Sequence, residues 1–170
     1  MLSNRNIHPS DAIKTNQFYR MLIIYGFCST GGYALLASSK AIMGDIFIPA
    51  LPHLIDANFF STYAILLGFG SLIGRIGYSM ASDTLGRRNM YHLYSIAGGS
   101  LFFALPSLIK LVIETGSVAA FYGFVASTFL ISSLLGGTFA TFPAYASDFF
   151  GSKYIGAIYG RIMLGVLVGI

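Results

Sequence analysis

Charge is what this chain has least of. Only 9% of its 170 residues are Asp, Glu, Lys or Arg, where a soluble domain carries about 25%. So few charges cannot clothe a water-soluble globule, and lipid is the implied solvent. Cysteine is nearly absent: Cys28 stands alone, which excludes an internal disulfide framework and any paired-thiol metal site. Set in an apolar run, it reads as a small buried hydrophobe. Residues 1–16 are polar and lack the apolar core and small-residue cleavage site of a secretory signal, so membrane entry falls to the first spanning helix.

Chemistry is sparse as well. No nucleophile, base and orienter set appears, so the chain is not expected to be an enzyme. His53 and His92 have no partner at metal-ligand spacing, and neither a metal nor a cofactor is expected. The net charge of +4 comes from basic residues scattered singly or in one pair, which argues against nucleic acid as a partner. The glycines of Gly68-Phe69-Gly70-Ser71-Leu72-Ile73-Gly74 are wrongly spaced for a dinucleotide loop and sit within an apolar run, not after a strand.

What is present is long apolar sequence: 55% of the residues are hydrophobic. Against the roughly 20 residues a spanning helix needs, five runs qualify, at residues 18–37, 59–81, 90–111, 118–146 and 154–170. The first can run past Lys40. The reading is an all-α, polytopic membrane helix bundle, with residues 1–17 as a polar cytoplasmic segment and 18–170 as the transmembrane part. Residues 45–58, with Pro49, Pro52 and His53, read as a loop, and 83–89 as a tight basic turn. Asp45 and Glu114 are expected in solvent. Pro106 and Pro143 fall within or near spans, where they kink a helix more often than they end it.

The cations set orientation. With the N-terminus in the cytoplasm, that side collects Arg5, Lys14, Arg20, Arg87, Arg88 and Lys153, and the far side only Lys40 and Lys110. Small-xxx-small steps at Gly70/Gly74, Gly156/Gly160 and Gly165/Gly169 predict close helix packing.

One charge stands inside a span. Arg75 costs about 2.5–3.5 kcal/mol at the bilayer centre on insertion scales, so its place is a wet cavity, a partner or a substrate path. Gly68, Ser71, Arg75, Tyr78, Ser79 and Ser82 share one helix side, and Leu66, Phe69, Ile73, Ile76 and Met80 the other. Asp83 lies about 12 Å further along the axis, too far for a pair with Arg75 within one helix. An interhelical structural partner for Arg75 is the alternative to a cavity. Ser29, Thr30 and Tyr33 on the first span, and Thr128 and Ser132 on the fourth, could line such a cavity, although interhelical hydrogen bonding is the safer reading.

These residues carry a resemblance. Gly74-Arg75-Ile76-Gly77-Tyr78 leading to Ser82-Asp83-Thr84-Leu85-Gly86-Arg87-Arg88 resembles the eighth helix and following cytoplasmic loop of major facilitator superfamily transporters. The run from Gly136-Gly137 through Pro143-Ala144, Asp148-Phe149-Phe150-Gly151 and Gly156-Ala157-Ile158-Tyr159-Gly160 resembles the oxalate/formate antiporter-like branch. It is also similar to monocarboxylate transporter-like members. The resemblance implies that the five spans equal helices seven to eleven of twelve, a partial major facilitator fold, so that the missing N-terminal half or a partner chain is needed. It implies alternating-access transport of small organic anions, mono- or dicarboxylates, across a membrane, with the plasma membrane favoured.

By that resemblance Arg75 binds substrate carboxylate, with Tyr78, Ser71, Tyr33, Thr128 and Ser132 as further candidate contacts. Ser79, Asp83, Gly86, Arg87 and Arg88 form the gating loop. Ser79 replaces a motif glycine, and Thr84 a basic residue. Val166 stands where oxalate transporters of the branch carry a lysine, leaving Arg161 as the possible second cation; its other reading is an arginine reaching for the interface. One guanidinium suits a monocarboxylate better than a dicarboxylate. Two alternatives remain: a transporter of another small solute, or a truncated membrane protein that only binds a partner.

Overall fold

The computed structural model describes residues 6–51, Ile55 and residues 57–169, with residues 57 and 165–169 described by backbone alone. A short helix α1 (Pro9–Ala12) precedes α2 (Asn16–Ile42), α3 (Ala57–Leu85), α4 (Arg87–Thr115), α5 (Val118–Phe150) and α6 (Ile155–Gly169). No strand occurs among the described residues.

Composition and end signals explain these boundaries. Thr15 caps α2 by accepting from the Phe18 amide at 3.4 Å, and Ser117 caps α5 by accepting from Ala120 at 3.4 Å. Each hydroxyl satisfies an amide that the first helical turn leaves without a partner. Connections are tighter than their sequence suggests. The expected basic turn over 83–89 shrinks to Gly86, whose φ of 86° only glycine adopts without strain. Pro106 and Pro143 both lie inside helices, as expected.

Two expectations are revised. The loop expected from residue 45 is helical in its first part: α2 passes through a π-helical turn, Met43–Phe47, into a further helical stretch, Ile48–Ala50. Met43 and Phe47 are fully buried there, so packing holds the chain helical through that turn. Asp45 is exposed within that turn, and Glu114 is exposed near the end of α4. Pro52 and His53 lie outside the described residues. Second, among the described residues four helices, not five, are long and apolar enough to cross a membrane: Asn16–Ala50, Asn58–Leu85, Arg87–Thr115 and Val118–Phe150. Within those residues α6 counts as a shorter apolar helix. The chain is therefore a helical bundle with the properties of a multi-pass membrane protein.

Helix α5 is the axis of the bundle. Its residues from Ile131 to Thr138 are all buried, and α2, α3, α4 and α6 all pack on it. Helix α3 runs parallel to it, because Tyr63 meets Thr128 and Ser132 meets Leu67, both 65 positions apart. Helix α4 runs antiparallel to it, with Gly123 opposite Leu108 and Arg87 opposite Ala144. Successive spans alternating in direction produce this arrangement.

The core divides along the helices. One cluster holds Phe18, Met21, Tyr25, Tyr91, Phe142 and Phe150 at the end that carries the N-terminal segment. The other gathers Met43, Phe47, Tyr63, Phe121 and Phe124 at the opposite end. Residues 6–15 fold against the first: the Ile7 amide donates to the Phe150 carbonyl at 3.0 Å, and the His8 and Tyr154 rings meet edge to face at 5.4 Å.

Candidate functional site

Glycine sets how closely α3 and α5 approach. A methyl group on Gly74 would overlap the Ser133 carbonyl, and one on Gly136 would overlap that of Ser71. Backbone meets backbone here because no hydrophobic force drives helices together in lipid, and small residues permit the contact. The Gly70/Gly74 step thus packs as its spacing predicts. Gly156 and Gly160 have open space beside them, while the surroundings of Gly165 and Gly169 lie outside the described residues.

Hydroxyls line the same contact. Tyr63 donates to Thr128 Oγ1 at 2.9 Å, and Thr128 itself donates to the Val125 carbonyl at 2.9 Å. Ser132 donates to the Leu67 carbonyl at 2.7 Å. Thr128 and Ser132 are each 1% exposed, which places both hydroxyls between helices rather than on a solvent-facing wall. Tyr78 is half-buried, with its hydroxyl 3.3 Å from that of Ser133 and its ring edge-on to Tyr94. Ser71 is half-buried against Gly136. Ser82 is buried, and its hydroxyl has no hydrogen-bond partner among the described residues. The small, polar side of α3 is therefore largely its packing face.

Arg75 lies at the edge of that face. One residue beyond Gly74, it is turned about 100° from the contact with Ser133, and it is exposed. Half-buried Ser71 one turn before it, and Tyr78 and Ser79 one turn after it, lie at helical spacing along the same flank. Among the described residues no carboxylate pairs with Arg75. Its guanidinium offers five donors in a fork that fits a carboxylate by two parallel hydrogen bonds. The opposite side of α3 is apolar and outward: Leu66, Phe69, Ile73, Ile76 and Met80 are all exposed.

The remaining candidates lie on other helices. Tyr33 is exposed and packs edge-on against Phe139, 5.6 Å between centroids. Arg161 is exposed on α6. A cavity of about 300 Å³ lies elsewhere, between α2 and α4 over α5, walled by Phe27, Cys28, Gly31, Ser95 and Phe102. Cys28 is half-buried beside it, 3.9 Å from the Ser95 hydroxyl. Ser29 is buried and donates to the Tyr25 carbonyl at 2.6 Å, and Thr30 is exposed.

The basic turn is where the structure adds a residue that sequence reasoning missed. Arg87 pairs with Asp148 of α5, donates to the Ala144 carbonyl at 3.0 Å, and lies 3.7 Å from Asp83. Both Arg87 and Asp148 are 28% exposed, whereas Asp83 is 71% exposed, so Asp148 is the stronger partner. Gly86 makes the turn that brings Arg87 there, and Arg88 is exposed. The available signal was scarcity: Asp148 is one of only six acidic residues, and it ends a span on the side that collects cations.

Among the described residues no group of three or more His, Cys, Asp or Glu side chains could hold a metal ion. No family model, characterised protein or solved structure matches this chain.

Proposed function

We propose that this chain forms part of a secondary transporter of small organic anions, working by alternating access as one helical bundle of a larger major facilitator-type assembly. The observation that carries the reading is Arg75: an exposed guanidinium about 15 Å inside the Leu85 end of α3, with no carboxylate partner among the described residues. A cation held at that depth needs water or an anion, and a monocarboxylate such as formate, lactate or pyruvate supplies one matching fork. Ser71, Tyr78 and Ser79 on the same flank are placed to orient it. The Arg87 cluster, at the cytoplasmic end in the N-inside orientation, would hold α3, α4 and α5 as one body while the two bundles rock.

The test is uptake of labelled formate, lactate, pyruvate and oxalate into proteoliposomes holding the chain, alone and with a complementary helical bundle supplied in trans. Monocarboxylate flux that falls at least tenfold in Arg75→Gln, and less in Arg75→Lys, supports the proposal. Flux indifferent to Arg75, or absent with the complement present, overturns it.

A second reading, a membrane protein that only binds a partner, has one observation in its favour. Gly156 and Gly160 form a small-residue step on α6 with nothing packed beside either among the described residues. Crosslinking from α6 to a stable partner, without flux of any solute, selects that reading.

A further inference from the structure

Ion pairing at the end of the bundle that carries the N-terminal segment leaves a surplus of positive charge. The acidic groups there are Asp11, Asp83 and Asp148. Asp11 pairs with Lys14 at 3.7 Å, and the other two share Arg87. Among the described residues Arg20, Arg88 and Lys153 are exposed and have no carboxylate partner. Arg88 borders a cavity of about 290 Å³, whose walls include Gly86, Asn89, Tyr145 and Phe149. Asp148 on the same wall is already paired with Arg87 and does not compete for Arg88.

The surroundings of that cavity are two-natured. Among the described residues nothing lies within 4 Å of where a side chain on Gly86 would begin, so the turn is open to approach. Beside it, Leu85 is 57% exposed and Phe149 41% exposed. A free anion would use the charge and leave these apolar groups bare. An amphiphile with a phosphate at the level of a helix end uses both, and the cytoplasmic leaflet is where anionic lipid meets juxtamembrane basic residues.

We propose that the cavity at the Gly86 turn binds the headgroup of an anionic phospholipid, with Arg88 as the cation for its phosphate and Leu85 and Phe149 against the upper acyl chains. The proposal is independent of substrate binding at Arg75, and its test needs no transport.

The purified chain in a mild detergent is titrated with phosphatidylglycerol or phosphatidylcholine, and bound lipid is counted by native mass spectrometry. Phosphatidylglycerol is expected to bind at least fivefold more tightly than phosphatidylcholine. Arg88→Gln is expected to remove most of that difference and Arg88→Lys only part. Lys110→Gln, an exposed cation at the far end of α4, is expected to leave it intact. Circular dichroism of each variant identifies any that fail to fold, in which case Arg88→Lys provides the comparison. Equal binding of the two lipids, or equal loss in Arg88→Gln and Lys110→Gln, overturns the proposal. So does full competition by inorganic phosphate, which would mean a site for the free ion.

Discussion

Arg87, the first residue of α4, pairs with Asp148 two residues before the end of α5 and reaches Asp83 in the last turn of α3, so one guanidinium ties three helices at a single end of the bundle. The pair joins positions 61 residues apart and is partly shielded from water. Removing one member strands the other, which costs more than the pair itself contributes.

That asymmetry gives the first expectation. Arg87→Gln and Asp148→Asn should each destabilise the folded bundle by about 1–3 kcal/mol, whereas Asp83→Asn should cost less than about 0.5 kcal/mol, as exposed pairs do. The charge-swapped double variant Arg87→Asp/Asp148→Arg should recover part of the loss. Unfolding in mixed micelles, followed by circular dichroism, measures all four.

The contact between α3 and α5 gives the second. Gly74→Ala and Gly136→Ala force backbone apart and should destabilise by about 1–3 kcal/mol, the cost of overpacking. Gly77→Ala, where nothing among the described residues lies within 4 Å of the added methyl, should not destabilise, and helix propensity should stabilise it by up to about 1 kcal/mol. If all three variants unfolded alike, the close approach of the two helices would be wrong.

Hydroxyls in that contact separate packing from substrate binding. Thr128→Val should cost about 0.6 kcal/mol, the average for an interhelical hydrogen bond in a membrane protein. In any transport assay it should shift KM by less than about twofold, an effect near 0.4 kcal/mol. A tenfold rise in KM with unchanged stability would return Thr128 to the substrate path.

Topology can be read with thiols. In a Cys28→Ser background, single cysteines at exposed Ser152 and exposed Glu114 should react with an impermeant maleimide from opposite sides of the membrane. The basic turns predict Ser152 on the cytoplasmic side. Labelling of both from one face would overturn the alternation of spans.

Much of the fold was legible because the signals are local. Apolar runs of spanning length located α2 to α5, and a glycine at 86 or a hydroxyl at 15 and 117 explains where helices turn or begin. The outward apolar side of α3 was readable from periodicity alone. What the sequence left open was whether the polar side of a span meets a cavity or a neighbouring helix. Small residues and hydroxyls serve equally well for helix contact, and Ser71, Tyr78, Thr128 and Ser132 do so here. Periodicity identifies a face; it does not say what that face meets.

The sequence by itself determined the solvent and the architecture class: too few charges for water, long apolar runs, and cations collected on one side of the spans. These properties add up along the chain and need no knowledge of neighbours. Only the tertiary structure decided that α5 is the axis, that α3 lies parallel to it with backbone against backbone, and that Asp148 is the partner of Arg87. Each depends on which faces meet across dozens of residues. That choice is made by the joint packing of four helices, and no single span records it.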